Sequence, residues 1–371
     1  MRDRKRKIDV DGIIIVVCVV VLMFIGTLFV YSASNYTAEK TYDDKYYFLK
    51  KQLIGYAVGI AVFFGVRLIK IDFYKKIAFW ACVVSAVLLL LVLTPLGIEV
   101  YGAKRWLGFG GVTVQPSDFA KLSFAMFAAA YFSDNMERAS SIVKSLPVMF
   151  VGGVLCVLVS AEPNMSITVC LAAVLVIMLF VAGFPLNKLL LLALPILVIV
   201  PLLIVAEPYG LKRLSAFLDP WSSPKAEGYQ LIQSLYAIGS GGLFGCGIFQ
   251  SRQKYRFLPF AESDFILSVI GEETGFVGVC AVLALCLFLA VHVIGIGKKC
   301  GNFFRYLLCV GIGSVFIVQV AVNALVVTGS IPPTGVPFPL VSSGNTQIIT
   351  FAASFGIVRS ISAENTEKSL I

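Results

Sequence analysis

Charged residues are scarce in this sequence, and histidine is nearly absent. Charged side chains make up 14% of the 371 residues, whereas soluble domains have about a quarter. The composition therefore excludes an ordinary soluble globular protein. The single histidine, His292, lies near the end of an apolar run and far from any polar loop. This argues against a His-based metal site and against a Ser-His-Asp triad.

The nine cysteines include no Cys-x-x-Cys pair, and most of them fall inside apolar runs. We therefore expect free, mostly buried thiols rather than a metal site or a disulfide framework. The net charge of +9 comes without a basic soluble module, so it does not indicate nucleic-acid binding. Basic loops beside lipid headgroups explain this charge better.

Hydrophobic residues make up 58% of the chain, and they form runs long enough to cross a bilayer, which takes about 20 residues. About ten spans are predicted, near residues 12–30, 52–68, 77–97, 119–133, 145–161, 165–184, 187–206, 264–294, 303–328 and 338–358. The first run is too long for a cleavable signal peptide and should stay as a span.

Basic residues precede the first span and recur in every second predicted loop, which is the pattern of cytoplasmic loops. The N-terminus is therefore predicted to lie in the cytoplasm, and an even number of spans returns the C-terminus to the same side. The predicted fold class is an all-α polytopic membrane protein. We expect one transmembrane domain, residues 1–371.

A long polar segment, residues 207–263, interrupts the hydrophobic pattern between the seventh and eighth predicted helices. The predicted topology makes it a large extracellular loop. The shorter outer segments are 34–50, 98–118, 162–164 and 329–337. Binding and catalytic groups tend to collect in such loops, so we expect the functional site on this side.

The first candidate binding group is Lys104, Arg105 and Lys121, in or beside the outer segment 98–118. Arginine binds phosphate oxygens in bidentate fashion, so this group is predicted to meet a lipid-linked phosphate. Trp106 beside Arg105 is equally typical of an interfacial anchor at a membrane edge. Both interpretations stay open at this point.

The second candidate group is Arg252, Lys254 and Arg256, spaced two apart near the end of the long loop. In an extended segment such side chains point to one side and would form a cationic strip next to Asp264. Three cations on one side repel each other unless an anion joins them. This favours an anionic ligand over a solvated loop face, which is the alternative.

Three acids mark the start of the next apolar span: Asp264, Glu272 and Glu273. At about 1.5 Å per helical residue, Glu272 lies roughly 12 Å deeper than Asp264. Paired glycosidase carboxylates need about 5 to 9.5 Å, so this pair is excluded from that chemistry. Asp264 is the candidate catalytic carboxylate, with a helix N-cap as the alternative. Glu272 and Glu273 are predicted to support the bundle through a cation or backbone groups.

Proline and glycine are dense between residues 328 and 344. At this density they break a helix, so the segment is predicted to cap the bundle on its outer face.

These motifs together resemble the SEDS family, the shape, elongation, division and sporulation proteins that polymerise bacterial peptidoglycan. The matching stretches are Gly228-Tyr-Gln230, Gln233-Ser-Leu235, Ala237-Ile-Gly-Ser-Gly-Gly242, Lys254-Tyr255, Leu258-Pro259, Asp264-Phe-Ile266, Gly271-Glu-Glu-Thr-Gly275, Arg105-Trp106, Gln115-Pro-Ser117 with Lys121, and Thr334-Gly335 with Ser342 and Gly344. The chain departs from the family pattern at Phe260, Glu262 and Ser263 (Glu, His and Thr in the family), at Asp118 (Glu), at Asn345 (Gly), and in Glu162-Pro-Asn-Met-Ser166, where the family usually has Gln-Pro-Asp-Leu-Gly.

The resemblance implies a glycosyltransferase that joins lipid II molecules, the undecaprenyl-pyrophosphate-linked disaccharide-peptides, at the outer face of the bacterial cytoplasmic membrane. Asp264 matches the family's catalytic aspartate. The resemblance also implies a class B penicillin-binding protein as partner, with other divisome or elongasome membrane proteins. The division or sporulation type matches best, and elongation is not excluded.

A sugar carried on pyrophosphate already has a stable anionic leaving group, so it needs charge neutralisation more than an acid catalyst. We therefore predict Asp264 as the general base. The predicted cations for the pyrophosphate are Lys104, Arg105, Lys121, Arg252, Lys254 and Arg256, and the predicted supporting residues are Trp106, Gln115, Ser342, Glu272 and Glu273. A lipid II flippase, a non-catalytic scaffold, and a divalent cation bridging Asp264 and the pyrophosphate stay open as alternatives.

Overall fold

Long helices make up most of the computed structural model, which describes residues 8–100, 103–109, 112–191, 214–226, 228–333 and 335–368. The helices are α1 (Val10–Tyr42), α2 (Tyr47–Val66), α3 (Ile71–Leu93), α4 (Pro116–Asp134), α5 (Ile142–Ala161), α6 (Met165–Ala182), α7 (Tyr229–Gly241), α8 (Ile266–Lys299), α9 (Phe303–Val327) and α10 (Asn345–Lys368). Two short 3-10 helices, Met136–Ser140 and Pro220–Ser222, lie between them.

Seven of the described helices, α1, α2, α3, α5, α6, α8 and α9, are long and apolar enough to cross a membrane. This confirms a helical polytopic membrane protein. The predicted span 187–206 falls mostly on residues 192–206, outside the described part, so the count of ten stays a prediction. The first residues of the predicted long loop, 207–213, also lie outside it.

Two further helices, α4 and α10, occupy the inside of the bundle although they carry many polar residues. Helix α4 packs against α3, α6 and α9, and α10 packs against α2. A helix enclosed by other helices can place polar side chains against protein partners instead of lipid. The predicted span 338–358 begins too early, because α10 starts only at Asn345.

The segment between α3 and α4 folds as a small antiparallel sheet, which corrects the all-α prediction locally. Its strands are β1 (Gly97–Val100), β2 (Ala103–Phe109) and β3 (Val112–Val114), in the order β1-β2-β3. Trp106 of β2 pairs with Ile98 of β1, and Lys104 pairs with Glu99. Strands this short give little periodic signal in a sequence, because their pairing supplies most of the stability.

The apolar run 264–294 suggested a continuous helix, but α8 is broken. Gly275 has φ +70° and ψ −170°, a backbone conformation that breaks the helix and that glycine tolerates best. The chain after α7 runs along this break, where Phe276 donates its backbone N–H to the Gly242 carbonyl oxygen at 2.9 Å. Glu272 and Glu273 therefore lie just before a kink, beside the loop between α7 and α8.

Ion pairs tie the two chain ends together at one end of the bundle. Asp9, which precedes α1, pairs with Arg359 of α10. Asp11 Oδ2 lies 2.7 Å from Lys299 Nζ at the end of α8. These contacts agree with the prediction that both termini lie on one side, and the orientation in the membrane stays a prediction. All nine cysteines are free thiols.

Candidate functional site

The proline-rich segment after α9 is held at the other end of the bundle by side-chain amides from two helices. Asn323 Nδ2 of α9 donates to the Val336 carbonyl oxygen at 2.7 Å. Gln319 Nε2 of α9 and Gln347 Nε2 of α10 donate to the Pro337 carbonyl oxygen at 3.0 and 2.9 Å. Buried carbonyl groups need such donors, so the amides fix a segment that has no secondary structure of its own.

The same segment holds the chain that leads into α8. Ser343 donates its backbone N–H to the Glu262 carbonyl oxygen at 2.9 Å. The Ser342 hydroxyl accepts from the Phe338 N–H at 2.7 Å and donates to the Ser263 carbonyl oxygen. Asn323 Nδ2 also donates to the Asp264 carbonyl oxygen at 2.8 Å. Three consecutive carbonyl groups, at 262, 263 and 264, are therefore held in place.

Asp264 and Arg105, which were predicted from distant parts of the sequence, meet at Gly335. A β-carbon built on Gly335 would lie 2.8 Å from Asp264 Oδ2 and 3.5 Å from Arg105 Nη1. The carboxylate and the guanidinium are thus neighbours beside a residue that has no side chain. An acid and a cation are in this way placed together at the end of the bundle opposite the termini.

Arg105 lies on β2 and reaches the turn between α5 and α6. Its Nε donates to the Glu162 carbonyl oxygen at 3.4 Å, and its Nη2 donates to the Pro163 carbonyl oxygen. Lys104 and Trp106, its neighbours on the strand, are half-buried. The sheet thus fixes Arg105 from one side and the α5–α6 turn from the other.

Gln115 joins the sheet to α10. Its backbone N–H donates to Thr346 Oγ1 at 3.1 Å, and its side-chain amide donates to Ser117 Oγ at 3.1 Å. These contacts are those of a residue that fixes the start of α4. Its supporting role stays a prediction.

Lys121 does not face an open surface, which corrects the prediction that it meets a phosphate alongside Arg105. Its side chain is 1% exposed, and Nζ lies 2.8 Å from Asp118 Oδ1 on the same helix. Nζ also donates to Gln319 Oε1. A buried ammonium needs such partners, and here they connect it to the amide that holds Pro337.

Glu272 and Glu273 bind the backbone of the loop between α7 and α8. Glu272 Oε1 accepts from the Arg252 N–H at 2.8 Å, and Glu273 Oε2 accepts from the Phe249 N–H at 2.9 Å. Glu273 Oε1 also accepts from the Ser32 hydroxyl of α1. Both carboxylates are buried, so they hold the segment 249–253 against the kink of α8.

The predicted cationic strip is wrong in its geometry, because residues 252–256 form turns and not an extended segment. Lys254 is buried, and its Nζ lies 3.6 Å from Glu273 Oε1. Arg252 and Arg256 are exposed. Arg256 Nη2 donates to Thr41 Oγ1 of α1 at 2.8 Å. The contacts of residues 252–256 are therefore with α1 and the kink of α8. Of the predicted cations, Arg105 is the one that lies beside Asp264.

No role was predicted from the sequence for the amides Gln319, Asn323 and Gln347 or for the acid Glu162. A signal for the first two was present, because they are one helical turn apart inside an apolar span, where polar residues usually have a role. Glu162 lies in a turn, and its importance follows only from its burial.

The two acids near Arg105 and Asp264 have shifted proton affinities. Burial raises the pKa of the Glu162 carboxyl to about 8, and the positive charge of Arg105 acts in the opposite direction. Burial also raises the pKa of the Glu262 carboxyl. Within the described ranges, no three His, Cys, Asp or Glu side chains cluster as a metal site would need.

Known proteins match this chain over almost its whole length. The family model for FtsW, RodA and SpoVE, described as cell cycle proteins, matches residues 13–367. A probable peptidoglycan glycosyltransferase FtsW of Trichlorobacter lovleyi is 38% identical over 356 residues, which cover 95% of this chain and 93% of the relative. Stage V sporulation protein E of Bacillus subtilis is 32% identical over 352 residues, covering 94% and 96%.

Solved structures show the same architecture. A chain from a peptidoglycan synthase complex, in a structure concerned with the coordination of polymerization and crosslinking, matches with a TM-score of 0.79. It is 25% identical, and the match covers 95% of this chain and 97% of that one. The rod shape determining protein RodA of Thermus thermophilus matches with a TM-score of 0.69 at 24% identity, covering 95% and 96%. The resemblance found in the sequence motifs is confirmed.

Proposed function

This chain belongs to the FtsW, RodA and SpoVE family, and we propose on that premise that Asp264 and Arg105 form the centre of its active site. The protein is a multi-pass peptidoglycan glycosyltransferase of the bacterial cytoplasmic membrane, of the division or sporulation type. Its substrate is lipid II, in which the reacting sugar is attached to a membrane-bound pyrophosphate.

One observation carries the assignment of the site: the Asp264 carboxylate and the Arg105 guanidinium both lie beside Gly335. An acid alone could cap a helix, and an arginine alone could anchor a membrane edge. A carboxylate next to a guanidinium, on a loop held by Asn323 and Ser342, supplies both groups that transfer from a sugar pyrophosphate requires.

In the reaction, the Asp264 carboxylate accepts the proton of the attacking sugar hydroxyl. The oxygen of that hydroxyl bonds to the anomeric carbon of the donor at the same time. The bond from that carbon to the pyrophosphate oxygen breaks, and the electron pair leaves with the pyrophosphate. Arg105 and its neighbour Lys104 stabilise the growing negative charge. Arg252 and Arg256 are exposed on the loop before Asp264, where they are available to lipid-linked phosphate that approaches the site.

A lipid II polymerisation assay with purified protein tests the assignment. We expect Asp264→Asn to bind lipid II and to form no glycan polymer, because the amide cannot take the proton. Asp219→Asn is the matched control: Asp219 is on the same outer loop and caps the 3-10 helix at Pro220, which asparagine also does well. Normal polymer from Asp264→Asn would overturn the assignment.

The same preparations separate the other function classes. Translocation of lipid II across liposomes without any polymer would favour a flippase. Loss of polymer in Asp264→Asn with partner binding intact excludes a pure scaffold. The proposed partner is a class B penicillin-binding protein, a transpeptidase, and co-purification with it tests this.

A further inference from the structure

The turn between α5 and α6 places a second acid beside Arg105. Glu162 is 0% exposed. Neither oxygen of its carboxyl group receives a hydrogen bond from any residue that the structure describes. Arg105 binds the same turn through the carbonyl oxygens of Glu162 and Pro163. The guanidinium therefore holds the backbone of a residue whose own side chain carries a carboxyl group.

A carboxylate that is buried without hydrogen bonds is costly, and a group in that position takes up a proton instead. Arg105 is the charged group that acts on Glu162, and it opposes this effect. Asn164 and Ser166, on the same turn, carry no charge. Burial prevails, and the pKa of the Glu162 carboxyl rises to about 8. At neutral pH, Glu162 is therefore mostly protonated and adds no negative charge beside Arg105.

The charges on the other side of Arg105 come from the loop that leads into α8. Asp264 is its neighbour at Gly335, and Glu262 is two residues away on that loop. Lys104 precedes Arg105 on β2. A change in the charge of Glu162 would thus alter the competition for one guanidinium, with Glu162 on one side and Asp264 on the other.

We propose that Glu162 is a positioning residue for glycosyl transfer: its protonated carboxyl leaves Arg105 directed at Asp264 and the pyrophosphate, and its ionisation draws Arg105 toward the α5–α6 turn. The inference rests on the proposed function of Asp264 and Arg105. The turnover of lipid II should fall as the pH rises through the range in which Glu162 ionises.

The test compares initial rates of lipid II polymerisation at pH 6.5 and pH 8.5 for wild type and Glu162→Gln. Glutamine keeps the shape of the protonated carboxyl and cannot ionise. We expect the rate of the wild type to fall about threefold or more over this interval beyond any fall in Glu162→Gln, since most of the Glu162 population loses its proton. Glu137→Gln, which changes an exposed acid at the opposite end of the bundle, should keep the wild-type ratio.

A second measurement, which needs no substrate, keeps the inference testable if Glu162→Gln is inactive. The thermal midpoint of Glu162→Gln relative to wild type should rise between pH 6.5 and pH 8.5. Identical pH ratios of the rates in wild type and Glu162→Gln would overturn the inference, and so would a thermal difference that does not change with pH in an inactive variant. Neither result would affect the assignment of Asp264, which depends on whether Asp264→Asn makes polymer.

Discussion

The carboxylate of Asp264 lies beside Gly335, so close to the place of a β-carbon that a methyl group there would displace it. A β-carbon on Gly335 would lie 2.8 Å from Asp264 Oδ2. The close neighbour is the tip of a side chain, which can move, and not a piece of backbone. A substitution at this glycine should therefore disturb the position of the carboxylate more than the fold.

Gly335→Ala is expected to lower polymerisation about 100-fold, because it displaces Asp264, the proposed general base, and a displacement of about 1 Å has effects of that size. The thermal midpoint should change little. Gly239→Ala is the matched control, since a β-carbon on Gly239 of α7 meets nothing within 4 Å. Polymerisation at the wild-type rate by Gly335→Ala would show that the Asp264 carboxylate is free to shift without loss of function.

Asn323→Leu should reduce both stability and activity. It leaves the carbonyl groups of Val336 and Asp264 without their shared donor. Each unsatisfied buried group lowers the free energy of unfolding by about 1 to 3 kcal/mol. Gln347→Leu removes a donor to Pro337 only, so it should lower the thermal midpoint with a smaller loss of activity. Equal losses of activity in the two variants would argue against a specific role of Asn323 in placing Asp264.

The buried pair Lys254 and Glu273 should show strong coupling in a double-mutant cycle. Lys254→Met or Glu273→Gln alone leaves the partner buried without its counter-charge, which costs about 3 to 5 kcal/mol. The double variant should lose clearly less than the two single losses together. The exposed pair Lys144 and Glu137 provides the control cycle, with an expected coupling of about 0 to 1 kcal/mol. Additive losses at Lys254 and Glu273 would contradict the pairing.

Gly275→Ala should strongly destabilise the protein. Its positive φ disfavours a side chain by about 1 to 2 kcal/mol, and the new β-carbon would overlap the backbone of Leu243 and Gly245. Gly295→Ala lies in the same helix, where a β-carbon meets nothing within 4 Å, and it should be neutral or stabilising. Thermal unfolding in detergent measures both. A tolerated alanine at Gly275 would mean that α8 runs without a break.

The pH dependence of stability should differ between wild type and Glu162→Gln. A carboxyl whose folded-state pKa is raised to about 8 binds a proton in the folded state that it has released in the unfolded state. Between about pH 5 and 8 the wild type should therefore lose up to about 1.4 kcal/mol per pH unit relative to Glu162→Gln. Chemical denaturation at pH 5.5, 6.5 and 7.5 measures this difference, and parallel curves would contradict it.

Several features of the fold were predictable because they depend on composition along one segment. The apolar runs of α1, α3 and α6, and the common side of the two termini, follow from hydropathy and basic loops. The meeting of Asp264 with Arg105 did not follow from the spacing of either residue. It was anticipated through the combination of an acid, cations and the family motifs.

The features that were missed depend on which segments fold against each other. Spacing two apart suggested that Lys254 stands beside Arg252 and Arg256, but Glu273 on a different element draws it inside. The kink at Gly275 was hidden because a hydrophobic run looks the same whether its helix is straight or broken. The small sheet at 97–114 was hidden because its strands stabilise one another across turns.

The way in which the chain holds Asp264 also explains how the residues before it can change. The donors at Ser343, Ser342 and Asn323 bind the main-chain oxygens of residues 262, 263 and 264, and such bonds are the same whichever side chains those residues carry. The main chain at Asp264 is therefore held in a way that does not depend on the side chains of Glu262 and Ser263. New side chains at these two positions could thus change the lining around the aspartate and leave its location as it is.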